Sequence, residues 1–129
     1  MIAIIDYGAG NLKSVSKALE KLGYDSVITS SPEEINAGKA MVLPGVGSFG
    51  DCMNSLISKG LDKCIIENVQ KGKYLLGICL GLQMLYDKSY EDGEWEGLGL
   101  LKGEVVRFET TMKIPHMGWN NLIKGREDL

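Results

Sequence analysis

Short apolar runs alternate with segments of helical periodicity along most of this sequence. Residues 2–5 (IAII), 39–43 (KAMVL) and 74–78 (YLLGI) form largely apolar runs, and each is followed by a glycine-containing turn. Such runs are typical of strands that are buried on both faces. The segments between them place apolar residues three or four positions apart, as amphipathic helices do. We therefore predict an α/β fold, an open and mostly parallel sheet with helices on both faces.

Local signals predict where several elements begin and end. Asn11 is placed to cap the first helix, because short polar side chains accept hydrogen bonds from the first turn. A later helix is expected from Leu80 to about Tyr86. Residues 88–97 are polar and are expected to form a loop, whereas residues 98–109 suggest two short strands around a turn at Lys102-Gly103.

Composition limits the classes of protein to which the chain could belong. A length of 129 residues with 44% hydrophobic content suits one domain, 1–129, with a core of its own. A net charge of -3 without a basic stripe argues against nucleic acid, and no apolar run approaches the roughly 20 residues that span a bilayer. Three cysteines without metal-ligand spacing fit a reducing compartment. We expect a cytoplasmic protein that binds no metal, cofactor, nucleic acid or membrane.

One cysteine stands between two glycines where a predicted strand meets a predicted helix. In the stretch GICLGLQ, Cys79 has Gly77 and Gly81 on either side. A sharp turn there would hold the thiol at the carboxyl edge of a parallel sheet, where open α/β sheets bind ligands. Peptide N–H groups at the start of a helix favour thiolate, the form that attacks carbon. We predict that Cys79 is a nucleophile and that Gln83, four residues further on the same helix face, lies within its reach.

A second glycine-rich turn, PGVG at 44–47, follows a neighbouring predicted strand. A nucleophile that attacks a carbonyl group needs hydrogen-bond donors for the oxyanion that develops. The turn offers the peptide N–H groups of Gly45, Val46 and Gly47. Leu80 adds a further N–H directly after the cysteine. Taken alone, the turn is an ordinary strand-to-helix connection, but beside the cysteine corner we interpret it as an oxyanion site.

The other two cysteines lack these surroundings. Free cysteine often serves only as a small buried hydrophobe. Cys52 and Cys64 lie inside helical patterns without flanking glycines, and we expect both to be inert.

Four motifs, taken in order along the chain, resemble one known family. GICLGLQML, with PGVGSFGD upstream, is similar to the class I (triad-type) glutamine amidotransferases, in which a cysteine releases ammonia from glutamine. Within that family, IIDYGAGNLKSV and IPHMGWNNL resemble the glutaminase subunit of imidazole glycerol phosphate synthase. The resemblance covers nearly the whole chain. It implies an enzyme of histidine biosynthesis that hydrolyses L-glutamine and passes ammonia to a barrel-fold cyclase subunit in a heterodimer.

The resemblance also implies roles for single residues. Cys79 would form a glutamyl thioester, and the turn at 44–47 would supply the oxyanion strand. Gln83 and Glu91 would contact the substrate, with Glu91 pairing with its amino group. An ordinary alternative for Glu91 is a solvated acid in a loop.

Three further residues would lie at or near the interface with the cyclase. The resemblance places Asn11, Trp119 and Asn120 there. A packed aromatic side chain followed by a turn asparagine is the alternative explanation for Trp119 and Asn120.

The sequence departs from the family pattern near its end. Family members complete the site with a His-x-Glu pair, in which histidine moves protons and glutamate orients it. This sequence has a single histidine, His116, and ends at Leu129 without that pair. In the family, the segment around His116 lies apart from the catalytic histidine, so we do not assign it as the base. We interpret the chain as the N-terminal two-thirds of the domain and expect little or no glutaminase activity from it alone.

Three alternatives remain open at this stage. The chain could be a non-catalytic, flavodoxin-like binding or interaction domain whose cysteine is structural or redox-active. It could be a hydrolase with a cysteine elbow that acts on another carbonyl substrate. It could also be a sibling amidotransferase that serves a sugar-amidine pathway.

Overall fold

The computed structural model of the protein describes residues 1–123 and 125. In chain order its elements are β1 (Ile2–Ile5), α1 (Leu12–Lys21), β2 (Ser26–Thr29), α2 (Pro32–Ala37), β3 (Ala40–Gly45), α3 (Phe49–Ser58), α4 (Leu61–Gln70), β4 (Tyr74–Cys79), α5 (Leu80–Gln83), β5 (Tyr86–Ser89), β6 (Trp95–Glu96) and β7 (Leu101–Val105).

Four parallel strands form the main sheet in the order β2-β1-β3-β4. Each of the first three strands is followed by at least one helix before the next strand, which is the crossover that parallel pairing requires. The carboxyl ends of β3 and β4 lie side by side, with Gly45 opposite Cys79. The predicted open parallel sheet is confirmed.

The two faces of the sheet are covered by different helices. Alternate residues of β1 and β3, including Ala3, Ile5 and Leu43, point into the main core with side chains of α2, α3 and α4. Helix α1 packs on the other face against β1 and β2, where Ser16 Oγ and Ser26 Oγ are 3.2 Å apart. Helices therefore lie on both faces, as predicted.

The outer strand β4 has an uncovered apolar surface. Tyr74 and Leu76 point to the same face of the sheet and are 83% and 57% exposed. Their partners in β3, Ala40 and Val42, are more protected, and Val42 is fully buried. The main core thus lies under the opposite face, and β4 is the edge of the sheet in the described part of the chain.

The helix after Cys79 is shorter than predicted, because it ends at Gln83 instead of continuing to about Tyr86. The carbonyl groups of Met84 and Leu85 accept hydrogen bonds from the later segment around Leu98 and Leu100, at 2.8 Å each. These carbonyls are therefore unavailable to further helical turns. Tyr86 instead begins β5.

Two further predictions on this part of the chain were wrong. Residues 88–97 contain the end of β5 and the strand β6, which pair antiparallel around a turn at Asp92-Gly93. Residues 98–109 hold one strand, β7, which runs through Lys102-Gly103 and pairs parallel with β5. Gly103 adopts a φ of +130° inside β7, and its N–H donates to Asp87, so the glycine forms an irregularity in a strand and not a turn.

Candidate active site

Cys79 occupies a strained corner between β4 and α5. Its backbone has φ +56° and ψ -119°, a conformation that residues with a side chain seldom adopt. The residue is exposed. Leu80 directly follows as the first residue of α5, and its side chain is buried. The helix has only four residues, which limits its electrostatic contribution to the peptide groups of one turn.

Glycines are required around this corner because backbone segments approach each other closely. A Cβ atom on Gly81 would lie 1.8 Å from the carbonyl oxygen of Leu43. A Cβ on Gly77 would lie 2.7 Å from Leu82 Cα, and one on Gly45 would lie 2.6 Å from Gly81 N. Real Cβ contacts are never this short. The Gly-x-Cys-x-Gly pattern and the glycine of β3 together allow α5 to start directly against the end of β3.

The loop at 44–47 lies beside the cysteine corner and is anchored from the core. The hydroxyl of Tyr7 donates to the carbonyl oxygen of Pro44 at 2.7 Å, and the thiol of Cys52 donates to the carbonyl oxygen of Val46 at 3.2 Å. Gly47 adopts a φ of +95°, which favours glycine. The loop therefore has a defined conformation next to the exposed thiol.

Gln83 and Glu91 line one cavity of about 370 Å³, a volume suited to a small molecule. The structure thus brings these two residues to one cavity, but neither Cys79 nor the residues of the 44–47 loop line it. The remaining lining residues are the neighbours of Glu91 in sequence, the last residue of β7 and the two residues after it: Tyr90, Asp92, Val105, Val106 and Arg107. The cavity carries both acidic and basic side chains, which suits a zwitterionic ligand.

Glu91 also contacts the start of α3. One of its carboxylate oxygens accepts a hydrogen bond from Phe49 N at 2.8 Å. The first N–H groups of a helix have no partner within the helix, and a negative charge there is favourable. The side chain of Glu91 is thus fixed by a backbone contact, and this carboxylate retains further acceptor capacity.

The other two cysteines and Tyr7 are buried. Cys52 and Cys64 lie in the core at 3% and 9% exposure, in contrast to the exposed Cys79. Burial raises the pKa of the Cys64 thiol. Burial also raises the pKa of the Tyr7 phenol well above its ordinary range, and the neighbouring Cys52 adds to the shift. Tyr7 therefore stays protonated and able to donate to Pro44.

The three residues assigned to the partner interface all lie on the surface. Asn11 is the N-cap residue of α1, as predicted, but its side chain makes no capping hydrogen bond, so that part of the prediction is wrong. Its backbone, with φ -93° and ψ 67°, departs from the extended conformation usual at a cap. Trp119 and Asn120 are exposed in the segment after β7, and the indole of Trp119 has no protein covering. The packed-aromatic alternative for Trp119 does not hold in this chain.

His116 does not share a cavity with Cys79. It lines a separate cavity with residues of its own segment, including Phe108 and Met112, and none of the residues around Cys79 contributes to that cavity. Within residues 1–123 and 125, no group of three or more His, Cys, Asp or Glu side chains could hold a metal ion. No helix in the same part of the chain is long and apolar enough to cross a membrane.

Several contacts at the site had no signal in the sequence. Tyr7 and Pro44 are 37 positions apart, so their hydrogen bond follows only from the pairing of β1 with β3. Arg107 reaches the cavity because β7 pairs with β5, which the sequence analysis did not predict. The DYGAG turn after β1 is a local signal for the position of Tyr7, which comes two residues after a buried strand.

Comparisons with known proteins agree with this architecture. A chain described as a crystal structure of glutamine amidotransferase superimposes with a TM-score of 0.67 at 21% identity, over 81% of this chain and 55% of that one. A putative peptidase E from Listeria monocytogenes superimposes with a TM-score of 0.54 at 24% identity, over 67% of this chain and 50% of that one. At these identities the two structures support the fold alone.

Sequence comparisons are more specific. The chain is 54% identical over 122 residues to the imidazole glycerol phosphate synthase subunit HisH of Oceanobacillus iheyensis, covering 95% of this chain and 61% of that protein. It is 52% identical over 128 residues to the subunit of the same name from Bacillus subtilis, covering 95% of this chain and 60% of that protein. The chain thus spans about three fifths of the length of these curated relatives. The family model of the class-I glutamine amidotransferases matches residues 3–128, and the chain belongs to that family.

Proposed function

We propose that this chain carries the nucleophile of a glutaminase, Cys79, which attacks the side-chain amide of L-glutamine. The observation that carries the proposal is the position of Cys79, exposed at a strained corner and opposite Gly45 of the glycine-rich loop. Thiolate attack forms an S–C bond and places negative charge on the amide oxygen. The N–H groups of Gly45, Val46, Gly47 and Leu80 are the candidate donors to that oxygen.

The reaction proceeds through a thioester. Collapse of the tetrahedral intermediate breaks the C–N bond, and the departing nitrogen takes up a proton to leave as ammonia. Water then hydrolyses the glutamyl thioester, which releases glutamate and restores the thiol of Cys79. Both steps need a group that moves protons, and such help contributes roughly 10²–10⁴-fold to a rate.

The chain alone is expected to lack that help. Its one histidine is His116, and in the family that the chain resembles this segment lies apart from the catalytic histidine. We propose that the proton-transferring residues belong to the part of the relatives that this chain does not match. The 129 residues alone should therefore show little or no turnover of glutamine.

Substrate binding is assigned to the cavity that Gln83 and Glu91 line. Glu91 is fixed by its hydrogen bond from Phe49 N, and its carboxylate has acceptor capacity left for the ammonium group of glutamine. Gln83 ends the one-turn helix whose N-cap is Cys79. Cys79 itself does not line the cavity, so the proposal requires the substrate side chain to extend from Gln83 to the sulfur.

We further propose a heterodimer with a barrel-fold cyclase in the cytoplasm, where the ammonia would serve the synthesis of imidazole glycerol phosphate in histidine biosynthesis. The relatives are named as subunits of that synthase. Asn11, Trp119 and Asn120 are exposed and available to a partner, and a fully exposed indole is typical of an interface residue.

A chimaera tests the proposal. The unmatched segment of the Bacillus subtilis relative would be fused after this chain, and glutamate formation would be measured with the cyclase subunit present. We expect activity from the chimaera, none from its Cys79→Ser variant, and full activity from its Cys64→Ala variant. A folded chimaera that binds the cyclase and forms no glutamate would contradict the proposed function.

A further inference from the structure

Two carbonyl groups of the 44–47 loop are held by side chains from the core. The phenol of Tyr7 donates to Pro44 O at 2.7 Å, while the thiol of Cys52 donates to Val46 O at 3.2 Å. The two carbonyls flank Gly45, the residue opposite Cys79 in the sheet register. Both donors come from outside the loop, Tyr7 from the turn after β1 and Cys52 from α3.

We propose that Tyr7 and Cys52 are positioning residues that set the orientation of the peptide groups in the oxyanion loop. The inference rests on the proposed function, because it assumes that the N–H groups of this loop stabilise an oxyanion at Cys79. Neither residue is assigned contact with the substrate.

The geometry of the peptide bond connects these contacts to the N–H groups. In a trans peptide, the carbonyl oxygen and the following N–H point in opposite directions. Holding Pro44 O towards Tyr7 therefore turns the N–H of Gly45 away from Tyr7, and holding Val46 O towards Cys52 turns the N–H of Gly47 away from Cys52. As a glycine at a φ of +95°, Gly47 has access to more backbone conformations than other residues. The loop thus needs an external restraint.

Burial and neighbouring contacts restrict the side chains of both positioning residues. Tyr7 is fully buried, its hydroxyl also lies 3.9 Å from Met84 Sδ, and its backbone carbonyl accepts a hydrogen bond from Ser55. Cys52 is 3% exposed in the middle of α3. A donor that cannot move away holds its acceptor more effectively, because little side-chain entropy remains to be lost.

Two reagents separate oxyanion stabilisation from simple access to Cys79. The first is a glutamine analogue whose amide is replaced by a chloromethyl ketone, so that thiolate addition places charge on a ketone oxygen. The second is iodoacetamide, which the thiolate attacks at a saturated carbon without forming an oxyanion. Rates at Cys79 would be measured by peptide mass spectrometry on this chain and on four variants: Tyr7→Phe, Cys52→Ala, Cys52→Ser and Cys64→Ala.

We expect Tyr7→Phe and Cys52→Ala to slow the ketone reaction by about 3- to 10-fold, as the loss of one hydrogen bond would. Their iodoacetamide rates should match that of the parent. Cys52→Ser should retain the ketone rate, because its hydroxyl can still donate to Val46 O. Cys64→Ala should retain both rates, since Cys64 is a buried thiol of α4 with partners in Asn36 and Asn68 and not in the loop.

Equal ketone rates in the parent, Tyr7→Phe and Cys52→Ala would overturn the positioning role. An equal slowing of both reagents would overturn it too, because it would show a general disturbance of the corner. If the parent reacts no faster with the glutamine-like ketone than with chloroacetone, the proposed function itself fails and the inference fails with it.

Discussion

Cys79 lies opposite Gly45 in the parallel register of β4 and β3, and the start of α5 leaves no room for a side chain on the glycine. A Cβ on Gly45 would approach Gly81 N to 2.6 Å. This close packing of β3 against the start of α5 places Cys79 beside Gly45 of the 44–47 loop. The proposed chemistry depends on this relationship.

Replacing Gly81 should disrupt the corner. In Gly81→Ala, the new Cβ would lie 1.8 Å from Leu43 O, and backbone would have to move to relieve the clash. We expect the free energy of unfolding to fall by about 3 kcal/mol or more. Urea unfolding measures this loss.

Gly118→Ala is the matched control for that substitution. A Cβ at Gly118 would have nothing within 4 Å, so the free energy of unfolding should change by less than about 0.5 kcal/mol. Similar unfolding midpoints for Gly81→Ala and Gly118→Ala would contradict the close approach of Gly81 to the backbone of Leu43.

Glu91 should have two separable roles. In Glu91→Gln, the side-chain oxygen can still accept from Phe49 N, so most of the stability at the start of α3 should remain, less about 0.3–1 kcal/mol for the lost charge. In Glu91→Ala the acceptor itself is lost, and the destabilisation should be larger. Urea unfolding of both variants distinguishes the two effects.

The binding role of Glu91 requires its charge. Glutamine should protect Cys79 from the chloromethyl ketone analogue in the parent, and this protection should be lost in Glu91→Gln as well as in Glu91→Ala. If Glu91→Gln retains full protection, Glu91 serves only as a cap for α3 and does not pair with the amino group of the substrate.

Tyr7 should make the protein sensitive to alkali. Its pKa is raised in the folded state, so its contribution to stability is complete below the ordinary tyrosine pKa of about 10 and is lost as the pH rises towards the folded value. We expect the free energy of unfolding to decline above about pH 10 and to decline less steeply in Tyr7→Phe. Below about pH 9 the two proteins should show parallel curves. Identical slopes above pH 10 would show that the phenol of Tyr7 is not shielded from ionisation.

The parts of the site that the sequence predicted are those that local signals determine. The apolar runs and the Gly-x-Cys-x-Gly pattern are contiguous, and they placed Cys79 and the 44–47 loop at the end of neighbouring strands. Resemblance to the family assigned Gln83 and Glu91 to one substrate, and both residues line one cavity. Their contact with a substrate stays a prediction.

The parts that the sequence did not predict depend on contacts between distant segments. Met84 and Leu85 continue the apolar pattern of a helix, but their carbonyl groups bond to residues 98–101, and α5 therefore ends early. The parallel pairing of β5 with β7 joins residues about 15 positions apart, and no local pattern reports it. The hydrogen bond from Cys52 to Val46 O has no local signal, because it depends on how α3 packs on the loop.

The most direct test of the account is the reaction of Cys79 with diazo-oxonorleucine, a reactive analogue of glutamine. Burial alone would protect Cys52 and Cys64, so the informative comparison is between the L and D isomers of the reagent at Cys79 itself. We predict that the L isomer alkylates Cys79 much faster than the D isomer and that L-glutamine slows the reaction. Equal rates for the two isomers, without protection by glutamine, would contradict the account.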